Sequence, residues 1–178
     1  KPRLLRGFKI FLSGYILNIL RGVIPFTIST QLEMDIAKTF PLEKLNEYTI
    51  LTIVDILQFA GIALMIMALI QEFKINKYII LFTAFLISML SPFLWGLNLN
   101  IPVIDQVLEL FWGDQPIEFS FIANKIAFPV FPWLSFPLLG MFLGDTMKNS
   151  KDQNKTFKFF GIIGILVLVL GIAISYSN

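Results

Sequence analysis

Residues 128–144 read FPVFPWLSFPLLGMFLG. The stretch holds no charged residue, three prolines (Pro129, Pro132 and Pro137), Trp133, and two glycines four apart, Gly140 and Gly144. A helix in water rarely accepts this, because each interior proline removes a backbone hydrogen bond and presses on the preceding turn. A helix in a bilayer accepts it more readily, since neighbouring helices satisfy the freed carbonyls. Pro129 and Pro132 are expected at or near a helix start, where a missing N–H costs little. Pro137 is expected inside the span, kinking it. Gly140-x-x-x-Gly144 is expected to let another helix approach closely.

The composition of the whole chain agrees with that reading. Of 178 residues, 56% are hydrophobic and only 15% charged, with 19 phenylalanines and a mean hydropathy of +0.77. Soluble domains carry about 25% charged residues. Several apolar runs approach the ~20 residues needed to cross about 30 Å of hydrocarbon. The fold class is therefore all-α: a polytopic integral membrane helix bundle of about five transmembrane helices with short interfacial helices, whose first partner is the lipid bilayer. The net charge of +2 comes from loop lysines and does not read as nucleic-acid binding. With no cysteine, disulfides and cysteine metal sites are excluded. With no histidine, the commonest general base near neutral pH and the commonest metal ligand are missing. No metal is expected.

Five spans follow in order. Residues 7–27 form the first, entered from Lys1, Arg3 and Arg6 and interrupted by Ser13, Tyr15, Asn18 and Arg21. The first apolar run lacks a small-residue cleavage site, so it reads as a span and not as a signal peptide. Residues 28–48 are a polar connection in which Leu32, Ile36 and Phe40 recur every four residues, as in a helix lying on the membrane surface. Residues 49–70 form the second span, with Asp55 and Gln58 three apart and hence on one face. A turn at 71–77 leads to the third span, 78–97, which ends near Pro92 and the interfacial anchor Trp95. In the acidic connection 98–118, Ile104, Val107, Leu108 and Phe111 share helical spacing. It reads either as a short interfacial helix or as a lid over a cleft. The fourth span begins between 119 and 132 and runs to about 147. The fifth covers 157–175, with Gly161, Gly164 and Gly171 as packing points. No internal repeat or linker divides residues 1–178, so we read a single transmembrane domain, expected to be the C-terminal part of a longer one.

Lys1, Arg3, Arg6, Lys9, Lys74, Lys77, Lys148, Lys151, Lys155 and Lys158 would all fall on one side, ten of the fourteen basic residues. The positive-inside rule puts that side, and the start of the chain, in the cytoplasm.

The polar residues within the spans are the chemical evidence. A charge in hydrocarbon costs at least about 2.5–3.5 kcal/mol and is normally paired or faces a cavity. Arg21 lies late in an outward-running span and Asp55 early in an inward-running one, so both sit at similar depth and are expected to pair. Asn18 precedes Arg21 on the same face, and Gln58 lies about one turn deeper. The group reads either as an ion pair fixing two helices or as a polar pocket that orients a substrate. Lys125 reads as an interfacial anchor or a pocket residue, and Trp133 as an interface aromatic or a stacking platform. Together, Asn18, Arg21, Asp55, Gln58, Lys125 and Trp133 are the candidate substrate-binding residues. No phosphate loop, nucleophile elbow or zinc motif is present.

The pattern FPxxPWLxxxLLGMxLG at 128–144 resembles a signature of bacterial membrane proteins related to the heparan-α-glucosaminide N-acetyltransferase catalytic domain. Residues 54–61, VDILQFAG, resemble that family's xLQxxG/A helix, and residues 4–22 its basic-flanked span. The resemblance covers most of the chain. It implies transfer of an acetyl or other acyl group from acetyl-CoA, or another acyl-CoA, to a sugar or glycan acceptor. It also implies a histidine base in an early span. None is present here, so either the base is supplied by helices before Lys1 or the chain is inactive. The alternative class is a polytopic transporter or a substrate-binding membrane subunit, because proline-broken spans and intramembrane charges also mark transport sites. The absence of a repeat between halves weighs against it. Self-association into a homo-oligomer is compatible with the sequence, which fixes no oligomeric state.

Overall fold

A computed structural model describes residues 2–32, 50–51, 53–97, 99–113 and 128–177. Among these residues the ordered elements are all helical. Helix α1 (Pro2–Asn18) passes through a π-helical turn (Ile19–Val23) into α2 (Ile24–Gln31), making one continuous span of 30 residues. Then come α3 (Ile56–Glu72), α4 (Lys77–Leu94), α5 (Pro102–Trp112), the short α6 (Val130–Trp133), α7 (Ser135–Lys148) and α8 (Gln153–Ser177).

Four stretches are long and apolar enough to cross a bilayer: Pro2–Gln31, Lys77–Leu94, Val130–Lys148 and Gln153–Tyr176. The fifth expected span is the 17-residue α3, which at 1.5 Å per residue is about 25 Å long. It starts later than residue 49. Residues 53–55 are not helical, and Asp55 is the N-cap of α3 instead of an interior residue. The reason is local. The Asp55 side chain accepts from the Ile56 N–H at 2.7 Å, and the Gln58 side chain accepts from the Asp55 N–H at 3.1 Å. This is a capping box, Asp-x-x-Gln, in which two otherwise orphaned donors are satisfied.

The first span also outlasts its expected end at residue 27, reaching Gln31. Pro25 lacks the N–H that would bond the Arg21 carbonyl four residues back. The chain widens into a π turn just before it, where the Ile24 N–H reaches the Ile19 carbonyl. Arg21 sits in that widened turn.

The proline-rich stretch bends elsewhere than expected. Phe131 takes an extended conformation (φ −98°, ψ 128°), and the Phe131–Pro132 peptide is cis. A residue before proline is pushed out of the helical region by the proline ring. The break therefore falls at Phe131, between α5 and α7. Pro137 lies in the first turn of α7, where it kinks nothing.

Two packing systems hold the bundle. Ala63 of α3, Ile80 and Ala84 of α4, and Val130, Leu134 and Leu138 of the α6–α7 stretch form the buried core. Ala84 is 1% exposed, and the small side chain leaves room for Leu138, also 1% exposed. On the other side of α3, α1 packs antiparallel through glycines. A Cβ on Gly61 would lie 2.6 Å from the Phe11 nitrogen, and one on Gly7 would lie 2.9 Å from the Gly61 carbonyl oxygen. Only glycine permits backbones this close.

The glycines expected to pack do not do so within these residues. A Cβ at Gly140, Gly144, Gly161, Gly164 or Gly171 would meet nothing within 4 Å. Helix α8 has no buried residue and touches α7 through Phe160 and Phe142, 6.3 Å apart. A helix apolar on every face with so little cover is suited to lipid or to other membrane helices.

Lys125 and the Leu32–Ile36–Phe40 pattern beyond residue 32 lie outside the described residues. The helix expected in 98–118 is α5. Its Leu110 and Phe111 pack against the core, while Ile104 and Val107 are exposed.

Candidate functional site

One end of the bundle collects the end of α1, the start of α3, α5 and the bend before α7. Here a half-open cavity of about 320 Å³ is lined by Leu17, Asn18, Arg21, Gly22, Ile50, Ile53 and Asp55. Its floor is built by the segment that leads into α3. The Asn18 amide donates to the Leu51 carbonyl at 3.1 Å and the Ile53 carbonyl at 2.7 Å. The Gln58 amide donates to the same Ile53 carbonyl at 3.3 Å. In a membrane an unsatisfied carbonyl costs several kcal/mol. Asn18 bonds Leu51 and Ile53, and Gln58 bonds Ile53, so together they clasp the chain where it enters α3.

Gln58 is fully buried behind the cavity and does not line it. It lies over Gly14, where a Cβ would come within 2.6–2.9 Å of all three terminal atoms of its amide. Its role in the site is to position Asp55 and Ile53. Asn18 lines the cavity, with its amide N–H groups committed to the clasp.

Arg21 and Asp55 do meet in one cavity, as their depths imply. They do not form an ion pair. The Asp55 carboxylate is held at the start of α3, bonded to the Ile56 N–H. There the helix dipole and the first-turn N–H groups already stabilise its negative charge. Arg21 is exposed to the cavity from the π turn. The expected pairing is therefore corrected to a cavity with a cation on one wall and a carboxylate on the other.

Trp133 stands apart from this cavity. Its ring contacts Phe128 at 5.1 Å and Phe136 at 5.9 Å. Phe128 in turn stacks on Phe59 at 6.5 Å, one residue after Gln58. Phe131 packs on Phe111 and Trp112, each at 5.3 Å. The FPxxPW bend is an aromatic wedge that joins α3, α5 and α7, and it braces the helix whose start shapes the cavity. Among the described residues, no three of His, Cys, Asp and Glu gather as metal ligands would.

The residues that sequence reasoning missed are the capping box and the packing glycines Gly7, Gly14 and Gly61. The first had a signal: Asp55 three residues before Gln58 at the head of an apolar run.

Residues 1–173 match the family model described as heparan-alpha-glucosaminide N-acetyltransferase, catalytic. The chain belongs to this family. The match covers the cavity, the aromatic bend and all but the last residues of α8. No curated protein and no solved structure matches the chain.

Proposed function

We propose that this chain forms part of a membrane acyltransferase that moves an acetyl or other acyl group from an acyl-CoA to a sugar or glycan, and that the Arg21–Asp55 cavity is its acceptor-side wall. The observation that carries the proposal is a family match over residues 1–173, together with a largely apolar cavity at a membrane-span end that Arg21 and Asp55 both line without pairing to each other. In acyl transfer the acceptor oxygen or nitrogen attacks the thioester carbonyl. Its proton goes to a base, and the CoA thiolate leaves. Arg21 offers several N–H donors to acceptor oxygens. The Asp55 carboxylate has lone pairs beyond its bond to Ile56 and accepts from a sugar hydroxyl. Such a pair of polar contacts orients the attacking group, and orientation is itself a large part of rate enhancement.

The base is a separate matter. The 178 residues contain no histidine, the commonest general base near neutral pH. The base is proposed to come from residues outside these 178. By the positive-inside rule, the end bearing Arg3, Lys74, Lys77 and Lys148 is cytoplasmic, and the Arg21–Asp55 cavity opens toward the outer leaflet of a bacterial cytoplasmic membrane. The test is transfer of label from acetyl-CoA to a panel of sugars by the 178-residue chain and by the full-length protein. The expected result is turnover by the full-length protein alone. Turnover by the isolated chain would refute the missing-base argument. Failure of the full-length protein across the panel would overturn the acyltransferase reading.

A further inference from the structure

The end of the bundle opposite the Arg21–Asp55 cavity carries a second, larger cleft of about 540 Å³. It is formed where α1 starts, where α3 turns into α4, and where α7 ends. Arg3, Lys74, Lys77 and Lys148 line it, against an apolar wall that includes Ile75 and Met141. The cations are set by backbone structure. Lys74 has φ +50°, in a tight turn closed by the Ile75 N–H on the Ile70 carbonyl at 3.1 Å. Lys77 opens α4, with Nζ 5.5 Å from the Tyr78 ring centroid. Lys148 ends α7. Arg3 is tethered by a hydrogen bond to Gln71 on α3.

Among the described residues, Asp145 is the one acid lining the cleft, and it accepts a hydrogen bond from the Asn149 amide. Among the described residues, no ion pair joins Asp145 or the neighbouring Glu72 to these four cations. Four like charges around one space repel each other unless an anion enters.

From this we infer that the cleft binds the phosphate headgroup of an anionic phospholipid, with an acyl chain lying along the Ile75–Met141 wall. The cleft lies at the ends of four apolar helices, α1, α3, α4 and α7, the level at which headgroups sit. A soluble phosphate would use the cations and leave the apolar wall wet. An amphiphile uses both. Basic pockets between transmembrane helices suit such headgroups. The inference goes beyond acyl transfer and does not depend on it.

The test is native mass spectrometry of the full-length protein released from nanodiscs of equal parts phosphatidylglycerol and phosphatidylcholine. Retained phosphatidylglycerol should exceed phosphatidylcholine. Lys77→Gln with Lys148→Gln should lower its occupancy at least about tenfold, from about fivefold per cation at low salt. Lys158→Gln, the same charge loss at a residue of α8 that does not line the cleft, should leave occupancy unchanged. Arg3→Gln alone should cost about fivefold, which keeps the test open if the double variant does not fold. Equal retention of the two lipids, or an equal loss with Lys158→Gln, would overturn the inference. Displacement of phosphatidylglycerol by equimolar inorganic pyrophosphate would also overturn it, assigning the cleft to a soluble phosphate.

Discussion

Gly61→Ala tests whether the α1–α3 contact that builds the candidate site is as close as described. The new Cβ would sit 2.6 Å from the Phe11 nitrogen and 2.7 Å from its Cα. These are backbone atoms, so no rotamer change relieves the clash. To reach the 3.4 Å of ordinary contact, α1 must retreat by about 0.8 Å. A gap of that size forfeits a quarter to a half of each van der Waals contact along the seam. It would also stretch Asn18's bonds of 2.7 and 3.1 Å toward about 3.5 and 3.9 Å, at or beyond the working range. Overpacking of this kind costs about 1–3 kcal/mol, and the lost clasp adds about 1 kcal/mol. Alanine returns about 1 kcal/mol through helix propensity. The net expectation is a loss of about 1–3 kcal/mol. Gly140→Ala is the matched control. Its Cβ meets nothing within 4 Å, so only the propensity gain remains and the sign reverses. The assay is reversible unfolding of both variants in mixed micelles by denaturing detergent. Gly61→Ala as stable as the parent, or no more affected than Gly140→Ala, would refute the close-packing argument.

Three further outcomes are expected. Asp55→Ala should lower stability by about 0.5–2 kcal/mol, as lost N-caps do, while Asp55→Asn retains a capping side chain and should melt within a few tenths of a kcal/mol of the parent; equal losses in thermal unfolding would remove the capping role. Arg21→Gln should cost well under the 3–5 kcal/mol of a broken buried ion pair, because Arg21 and Asp55 are not paired; a loss in that range, read by the same unfolding assay, would restore the ion pair. If α3 crosses the bilayer, α8 ends on the side opposite Arg3, so a reporter active only in the cytoplasm and fused after residue 178 should be silent; strong activity would mean that α3 does not cross or that the basic end is outside.

The bundle was legible because a bilayer leaves the backbone few options. Helices satisfy their own polar groups, so apolar run length located the four helices long enough to cross, while the remaining run holds the shorter α3. Where helices begin was less legible. Hydropathy is continuous across 49–70, and only the Asp55–Gln58 spacing betrays the start at Ile56. Proline positions misled for a related reason: Pro137 falls harmlessly in a first turn, while Pro132 acts through the residue before it. Spacing favoured Gly140 and Gly144, which sit four apart and face open space. Gly7, Gly14 and Gly61 do the packing, and which glycines meet depends on helix rotation, which spacing does not encode. The shared depth of Arg21 and Asp55 was legible from span direction. Their separation was not, because it depends on the start of α3 claiming the carboxylate.

The most direct test of the acceptor-side assignment is steady-state acetyl transfer by the full-length protein carrying Arg21→Gln, with acetyl-CoA and the sugar varied in turn. Loss of a charged hydrogen bond worth about 1.5–3 kcal/mol should raise the KM for the sugar at least about tenfold. The KM for acetyl-CoA should stay at the parent value, since the proposal puts the acceptor, and not the donor, beside Arg21. A rise in the KM for acetyl-CoA with the sugar KM unchanged would contradict the account and place the donor, not the acceptor, beside Arg21.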